Sequence, residues 1–359
     1  MKAVAGPWLA LLSIAAAFAL LPLFMPGGSF DLYPFAGGRL PLHAGFTDLA
    51  TTVLVFALFA LGFNLLFGHT GELSFGHAMF FSVGAYVTAL YAKGFDFVLG
   101  PWHPHFDGGG NLFVALVLSL GAVGLLSAGL GRLIVPRSSG IYYSMITLAF
   151  AQVVYFITFR WSDLTGGEDG LQAIARPDLP GLPPGWLADS MHTYIFTAIV
   201  AFVAVAINFW IVRSNFGSVL HAIRENKQRA RFLGYDVDRY RVNAFVLSAL
   251  FPAVGGWLWT YFQQSINPDA GSVDYSGRVV MMSLLGGIHS FAGPMLGAFV
   301  YWDLQNRFAQ IDRYWPEVIG SVFAVFVLFA PRGINGLIGE GARALFGRLG
   351  SKPTDDAQS

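Results

Sequence analysis

The chain of 359 residues contains no cysteine, so disulfides, thiolate metal sites and cysteine nucleophiles are all excluded. Charge is scarce as well. Asp, Glu, Lys and Arg make up 12% of the residues, about half of the roughly 25% usual in a soluble domain. The charges balance, with 21 basic and 21 acidic residues, which gives no footing for nucleic acid. No GxxxxGK[ST] phosphate loop, HExxH pair, nucleophile motif or GxGxxG fingerprint occurs. Neither ATP hydrolysis by this chain nor another enzymatic reaction therefore has a motif to rest on.

Apolar length takes the place of charge. The chain is 55% hydrophobic and 16% aromatic, and apolar stretches of about 20 residues recur, each long enough to cross a bilayer core of roughly 30 Å. These features predict an all-α polytopic integral membrane protein. Spans are expected over 7–25, 46–67, 76–92, 112–131, 140–159, 192–212, 242–263, 278–290, 293–308 and 317–331, ten in all. The stretch 278–308 is divided because GGIHSFAGP interrupts it and it is too long for one straight helix. The first segment reads as a retained span rather than a signal peptide. Its apolar run reaches Met25 with no small-residue cleavage site before Pro26.

Lys and Arg collect on the cytoplasmic side of membrane proteins. Loop 213–241 carries Arg213, Arg224, Lys227, Arg229, Arg231, Arg239 and Arg241. The turn 132–139 holds Arg132 and Arg137, and the tail holds Arg332, Arg343, Arg348 and Lys352. With ten spans these fall on one side together with Lys2, so both termini are expected in the cytoplasm. The loop 160–191 on the other side is net acidic.

Spans 112–131, 192–212 and 242–263 have no Asp, Glu, Lys or Arg. A charge at mid-bilayer costs about 2.5–3.5 kcal/mol and is kept mainly for function. The nearest carboxylates, Glu72, Asp303 and Glu317, lie at predicted span ends, which argues against ion coupling through a buried acid. A pore, a transporter, or the membrane half of a machine powered in trans remains. His69, Glu72 and His77 offer only three loosely spaced ligands, too few for a metal site.

Loop 213–241 predicts a helix over 216–233, with Val219, Ile223, Ala230 and Leu233 near one face and Gly217 and Gly234 at its ends. It is either a solvated basic loop that sets topology or a cytoplasmic helix that docks on a soluble subunit.

Five blocks carry a resemblance. They are GHTGELSFGHAMFFSVGAYVTAL (68–90); GIYYSMITLAFAQVV (140–154); LTGGEDGL (164–171); SNFGSVLHAIRENKQRARFLGYDVDRYRVNAFVLSA (214–249); and SLLGGIHSFAGPMLGAFV (283–300) with LFAPRGINGLI (328–338). In this order the chain resembles the permease subunits of branched-chain amino acid ABC importers, particularly the longer, M-type member. The resemblance implies a second permease (a paralogue), two cytoplasmic ATPase subunits that bind ATP and Mg, and a periplasmic binding protein, in a bacterial inner membrane. It implies ATPase coupling through Arg224, Glu225, Lys227 and Gly234. Two departures stand out: Asn226, Lys227, Gln228 and Arg229 follow AIRE where acidic or alanine-rich residues are common, and His289 replaces a common glycine. Because relatives also serve urea and short amides, those solutes stay open, as does a stand-alone channel or secondary transporter. The expected organisation is an N-terminal span and external loop over 1–45, a permease domain over 46–338 and a tail over 339–359.

At helical spacing Ser74, Ala78, Ser82, Ala85 and Ala89 form a stripe suited to close packing, and His77, Phe81, Gly84 and Thr88 form one that could face a translocation path. Thr147 and Gln152 are polar groups in an apolar span, set either against other helices or along that path. Gly293 and Gly297 form a GxxxG face for close contact, beside Pro294, which breaks the helix. Gly166, Gly167, Glu168 and Asp169 are either an ordinary turn or an external gate or binding-protein contact.

Overall fold

A computed structural model of the chain describes residues 44–96, 105–179, 181–309, 315–329 and 333–334. The predicted first span and the C-terminal tail lie outside the described residues. The helices are α1 (Ala44–Thr70), α2 (His77–Lys93), α3 (Leu112–Ile134), α4 (Ile141–Arg160), α5 (Ser162–Thr165), α6 (Ser190–Arg213), α7 (Asn215–Glu225), α8 (Lys227–Phe232), α9 (Val237–Gln263), α10 (Val273–Gly286), α11 (Gly293–Ala309) and α12 (Trp315–Phe329). Two short antiparallel strands, β1 (Gly94–Asp96) and β2 (His105–Asp107), pair Phe95 with Phe106.

Each predicted span from 46–67 onward meets one of these helices. Five of them (α1, α3, α4, α6 and α9) are long and apolar enough to cross a membrane. The others differ in length: α2 and α11 have 17 residues, α12 has 15 and α10 has 14. At 1.5 Å per residue that is about 21–26 Å, short of a full hydrocarbon core. The expected interruption in 278–308 falls at residues 287–292, between α10 and α11.

Helix α1 is apolar on every side and occupies the middle of the bundle. Val53 to Leu61 are all essentially buried, and the helix packs against α9, α6 and α11. A helix hydrophobic all round needs such a setting. By contrast α3, α4 and α6 each leave one apolar face exposed, through Val117 and Leu125, Met145 and Val153, and Ile199 and Val203 respectively. Apolar side chains facing outward incur no penalty in lipid.

Glycines allow the closest crossings. A Cβ on Gly256 of α9 would collide with the Phe81 carbonyl of α2, and one on Gly297 of α11 would collide with the Met282 carbonyl of α10. Between the helices lies an aromatic cluster. Phe56 meets Trp302 at 4.8 Å between centroids, and Phe59 stacks on Phe81 at 5.1 Å with 12° between ring planes.

The connections gather at two ends. At one end, Arg241 Nη2 donates to the Ser138 carbonyl at 2.9 Å, joining the segment after α3 to the start of α9. At the opposite end Leu171 and Ile266 exchange backbone hydrogen bonds of 2.8 and 2.9 Å. Arg176 donates there to the carbonyls of Leu187, Ala188, Tyr261 and Phe262, strapping the segment before α6 across the end of α9.

Candidate functional site

The basic segment does not form the single helix expected over 216–233. It breaks at Asn226, whose backbone is extended at φ −159°. The Asn226 side chain accepts from the Arg229 amide at 2.9 Å and so starts α8. An asparagine oxygen satisfies one of the four amides that a helix start leaves unpaired, and here that local preference overrides the longer apolar stripe. Gly217 is therefore not a terminus. It lies in the first turn of α7, flush against the Val212 carbonyl. Gly234 does end the segment, with φ +90°, a backbone region that side chains with a Cβ rarely adopt. Asp236 then accepts from the Arg239 amide and opens α9 at Val237, five residues before the expected start of that span.

The connection between α1 and α2 is the second component. Gly68 remains inside α1, where a Cβ would press on the Asn64 side chain and the Ile288 carbonyl. The chain turns at Gly71, at φ +75°. The short segment is fastened along its length. Thr70 Oγ1 donates to the Leu66 carbonyl at 2.7 Å, the Gly76 amide donates to Ser74 Oγ at 3.2 Å, and Ser144 Oγ donates to the Leu73 carbonyl at 2.6 Å.

These two components meet around Glu72. Its side chain is buried, with the residue 3% exposed. Arg241, 4% exposed, donates to Glu72 Oε1 through Nε and Nη2, and its Nη1 bonds Asp238 Oδ1 at 3.1 Å. Lys227 Nζ reaches the same Oε1 at 2.9 Å, from a side chain that is 37% exposed. Arg231 pairs with Asp238 at 2.9 Å. A buried carboxylate needs this kind of pairing, because leaving it uncompensated costs several kcal/mol. Three positions along, Arg224 Nη1 donates to the Gly68 carbonyl, and its Nη2 donates to His289 Nδ1 at 3.3 Å. Arginine can only donate, so His289 accepts as the neutral Nε2–H tautomer. Burial, then the Arg224 guanidinium, hold the His289 imidazole below its ordinary pKa.

Of the residues expected to couple to an ATPase, Arg224 thus reaches inward onto the end of α1 and Lys227 onto the segment after it. Glu225 stays exposed, 3.6 Å from His221. Beyond the exposed Gln228, Arg229 and Arg231, two large apolar groups also turn outward: Phe232 is 90% exposed and Leu233 69%.

Of the residues expected along a path, His77, Phe81, Gly84, Thr88 and Thr147 are buried, and Gln152 is half-buried. His77 Nε2 lies 3.1 Å from Ser248 Oγ, Phe81 stacks in the aromatic cluster, and a Cβ on Gly84 would come within 2.8 Å of the Ala253 carbonyl. Thr88 Oγ1 meets Ser119 Oγ at 3.1 Å. Thr147 Oγ1 bonds within its own helix, to the Ser144 carbonyl at 2.9 Å. The buried Nε2 of Gln152, like His77 Nδ1, has no partner among the described residues.

Among the residues expected to pack, Ser74 and Ala78 are buried and Gly293 lies against the Gly287 carbonyl. The buried Ser82 Oγ has no partner among the described residues. A Cβ on Gly271 would lie 3.1 Å from it and 4.0 Å from the Tyr155 Cα of α4. Ser276 Oγ on α10 is buried and unpartnered in the same sense. At the far end Gly166 and Gly167 take positive φ and form a tight turn that leaves Glu168 and Asp169 exposed.

Sequence reasoning missed Glu72 and Arg241 as a pair, treating the first as a span-end acid and the second as one more topogenic charge. The signal was present: an acid in an apolar run requires a cation, and the basic segment was the nearest source.

The comparisons bear on this geometry. The family model described as "Branched-chain amino acid transport system / permease component" matches residues 45–330. The chain is 26% identical to the high-affinity branched-chain amino acid transport system permease protein LivM of Escherichia coli (strain K12), over 93% of this chain and 79% of that protein. It is 26% identical to LivM of Salmonella typhimurium over 84% of this chain and 71% of that protein. For LivH of Salmonella typhimurium the identity is also 26%, over 78% of this chain and 91% of that protein. No solved structure matches. The match spans α1 to α12 and takes in both halves of the Glu72 cluster, and the chain belongs to the branched-chain amino acid transport system permease family.

Proposed function

We propose that this chain is the membrane-spanning permease subunit of an ATP-driven importer for branched-chain amino acids or related small polar solutes. The single observation that carries the reading is the family match over 45–330. In this reading a periplasmic binding protein delivers the solute, a paralogous second permease completes the membrane unit, and two cytoplasmic ATPase subunits bind ATP and Mg. The protein sits in the bacterial inner membrane with both termini and the basic segment in the cytoplasm, in line with the positive-inside bias.

The basic segment is the ATPase contact. Exposed Phe232 and Leu233, with Glu225 and the turn at Gly234, present an apolar knob with charged flanks. Such a knob suits a groove on a soluble partner. Its charged neighbours Arg224 and Lys227 hold on to the permease itself. At the opposite end, exposed Glu168 and Asp169 offer the binding protein an acidic contact or form part of a gate.

The solute path runs along the side of α2 that carries Ser82, whose buried hydroxyl has no partner among the described residues, as is also true of Gln152 Nε2 on α4 and Ser276 Oγ on α10. Unpartnered polar groups are costly in a dry interior and suit a face that meets water or solute. The neighbouring stripe through Phe81 and Gly84 packs against α9 and braces the path. A permease for urea or short amides would share all these features, because the binding protein selects the solute.

The test is co-purification of the chain with an ATPase subunit and a second permease, followed by hydrolysis assays with liganded binding protein. Hydrolysis stimulated by leucine-loaded binding protein is expected. A complex that cannot be assembled, or whose hydrolysis ignores every liganded binding protein offered, overturns the reading.

A further inference from the structure

Resting on the importer reading, we propose that Lys227 and Glu72 form a releasable latch through which movement of α7 and α8 is passed to the Gly71 turn and so to α2. Two arms join the basic segment to the last turn of α1 and to the connection that follows it, one on each side of Gly71. Arg224 holds the Gly68 carbonyl, and Lys227 holds the Glu72 carboxylate. Gly71, at φ +75°, sits between the two anchor points, and a Cβ there would lie 3.3 Å from Arg224 Cγ. A displacement of α7 and α8 therefore pulls on a short segment that continues directly into α2 at His77.

The charges around Glu72 are arranged so that Lys227 can part while Arg241 stays. Arg241 is buried, comes from α9, and binds the same Oε1 through two nitrogens. Its Asp238 and Ser138 contacts fix it independently of Glu72. Lys227 comes from α8 and is 37% exposed, so its ammonium can move into water. When Lys227 leaves, Glu72 remains neutralised by Arg241, and the large penalty for an uncompensated buried carboxylate is not incurred. Glu72 Oε2 has no hydrogen-bond partner among the described residues, so no second contact ties the carboxylate's other oxygen in place as the arm parts. A purely structural ion pair would not need one partner buried and the other half in water.

The absence of native cysteine makes a chemical test direct. In a complex of the chain with its ATPases, second permease and binding protein, K227M and K227R are compared for solute moved per ATP hydrolysed in proteoliposomes. The latch predicts at least a fivefold fall in that ratio for K227M and a ratio near native for K227R. In parallel, K227C is modified before the ATPases are added. Aminoethyl methanethiosulfonate, which restores an ammonium, is expected to restore the ratio, whereas the neutral methyl reagent leaves it low. A purely structural role would lower uptake and hydrolysis together and leave the ratio unchanged, and that result overturns the latch. An unchanged ratio in K227M also overturns it while the native complex still transports. If the native complex shows no ATP-driven uptake, the importer reading itself fails.

Discussion

Lys227 Nζ lies 2.9 Å from Glu72 Oε1 across 155 residues of chain, joining the basic segment to the turn that precedes α2. Arg241 binds the same oxygen from a third element. One carboxylate thus ties together the parts of the chain that would have to move in concert.

The two cations on Glu72 are expected to differ sharply in their effect on stability. E72Q leaves buried Arg241 with only the partly exposed Asp238, and R241M leaves buried Glu72 with only the partly exposed Lys227; each is expected to destabilise the protein by up to roughly 3–5 kcal/mol. K227M removes a partly exposed cation and is expected to cost no more than about 1 kcal/mol. Thermal unfolding of the purified protein in detergent orders the three variants. K227M as damaging as R241M would contradict the distinction between a fixed and a releasable partner.

Asn226 gives a local prediction. N226A removes the side-chain oxygen that accepts from the Arg229 amide, at a cost of about 1 kcal/mol to the start of α8. Hydrogen exchange of peptides covering 227–232 should quicken about fivefold, with little change in α9. Unchanged exchange in that peptide would show that α8 does not depend on its cap.

Helix contact at glycine is tested by contrast. G297V puts two methyl groups where the Met282 carbonyl already lies, and overpacking of this kind costs about 1–3 kcal/mol. A Cβ at Gly277 on α10 meets nothing within 4 Å, so G277A should be neutral. Folded yield by size-exclusion chromatography separates the two; equal yields would mean that α10 and α11 do not cross at Gly297.

Much of the helical layout was legible in the sequence, because long apolar runs between basic turns leave few alternatives in lipid. The break at Asn226 was less so: a capping residue inside an amphipathic stretch competes with periodicity, and the apolar stripe through Val219, Ile223 and Ala230 favoured one helix. The two stripes on α2 show a different limit. Helical spacing groups His77, Phe81, Gly84 and Thr88 together, but it cannot tell which neighbouring helix each stripe meets. Only tertiary contacts place Gly84 on Ala253 and leave Ser82 unpartnered. The two departures noted in the sequence, Lys227 and His289, both prove to touch this cluster, through Glu72 and Arg224.

The placement of the path is open to a thiol test in the cysteine-free chain. S82C is expected to react with a small water-soluble methanethiosulfonate during ATP turnover. T88C, packed against Ser119, is expected to stay protected. Reaction at T88C with protection at S82C would return the path to the other stripe.

The central claim is that this chain moves solute only as part of an ATP-powered complex. The direct measurement is uptake of labelled leucine into proteoliposomes holding the chain with its second permease and ATPases, with binding protein outside and ATP inside. Uptake should require both binding protein and ATP and should be competed by isoleucine and valine, with urea and acetamide as the comparison solutes. Rapid leucine flux through the chain alone, without ATP, would contradict the account.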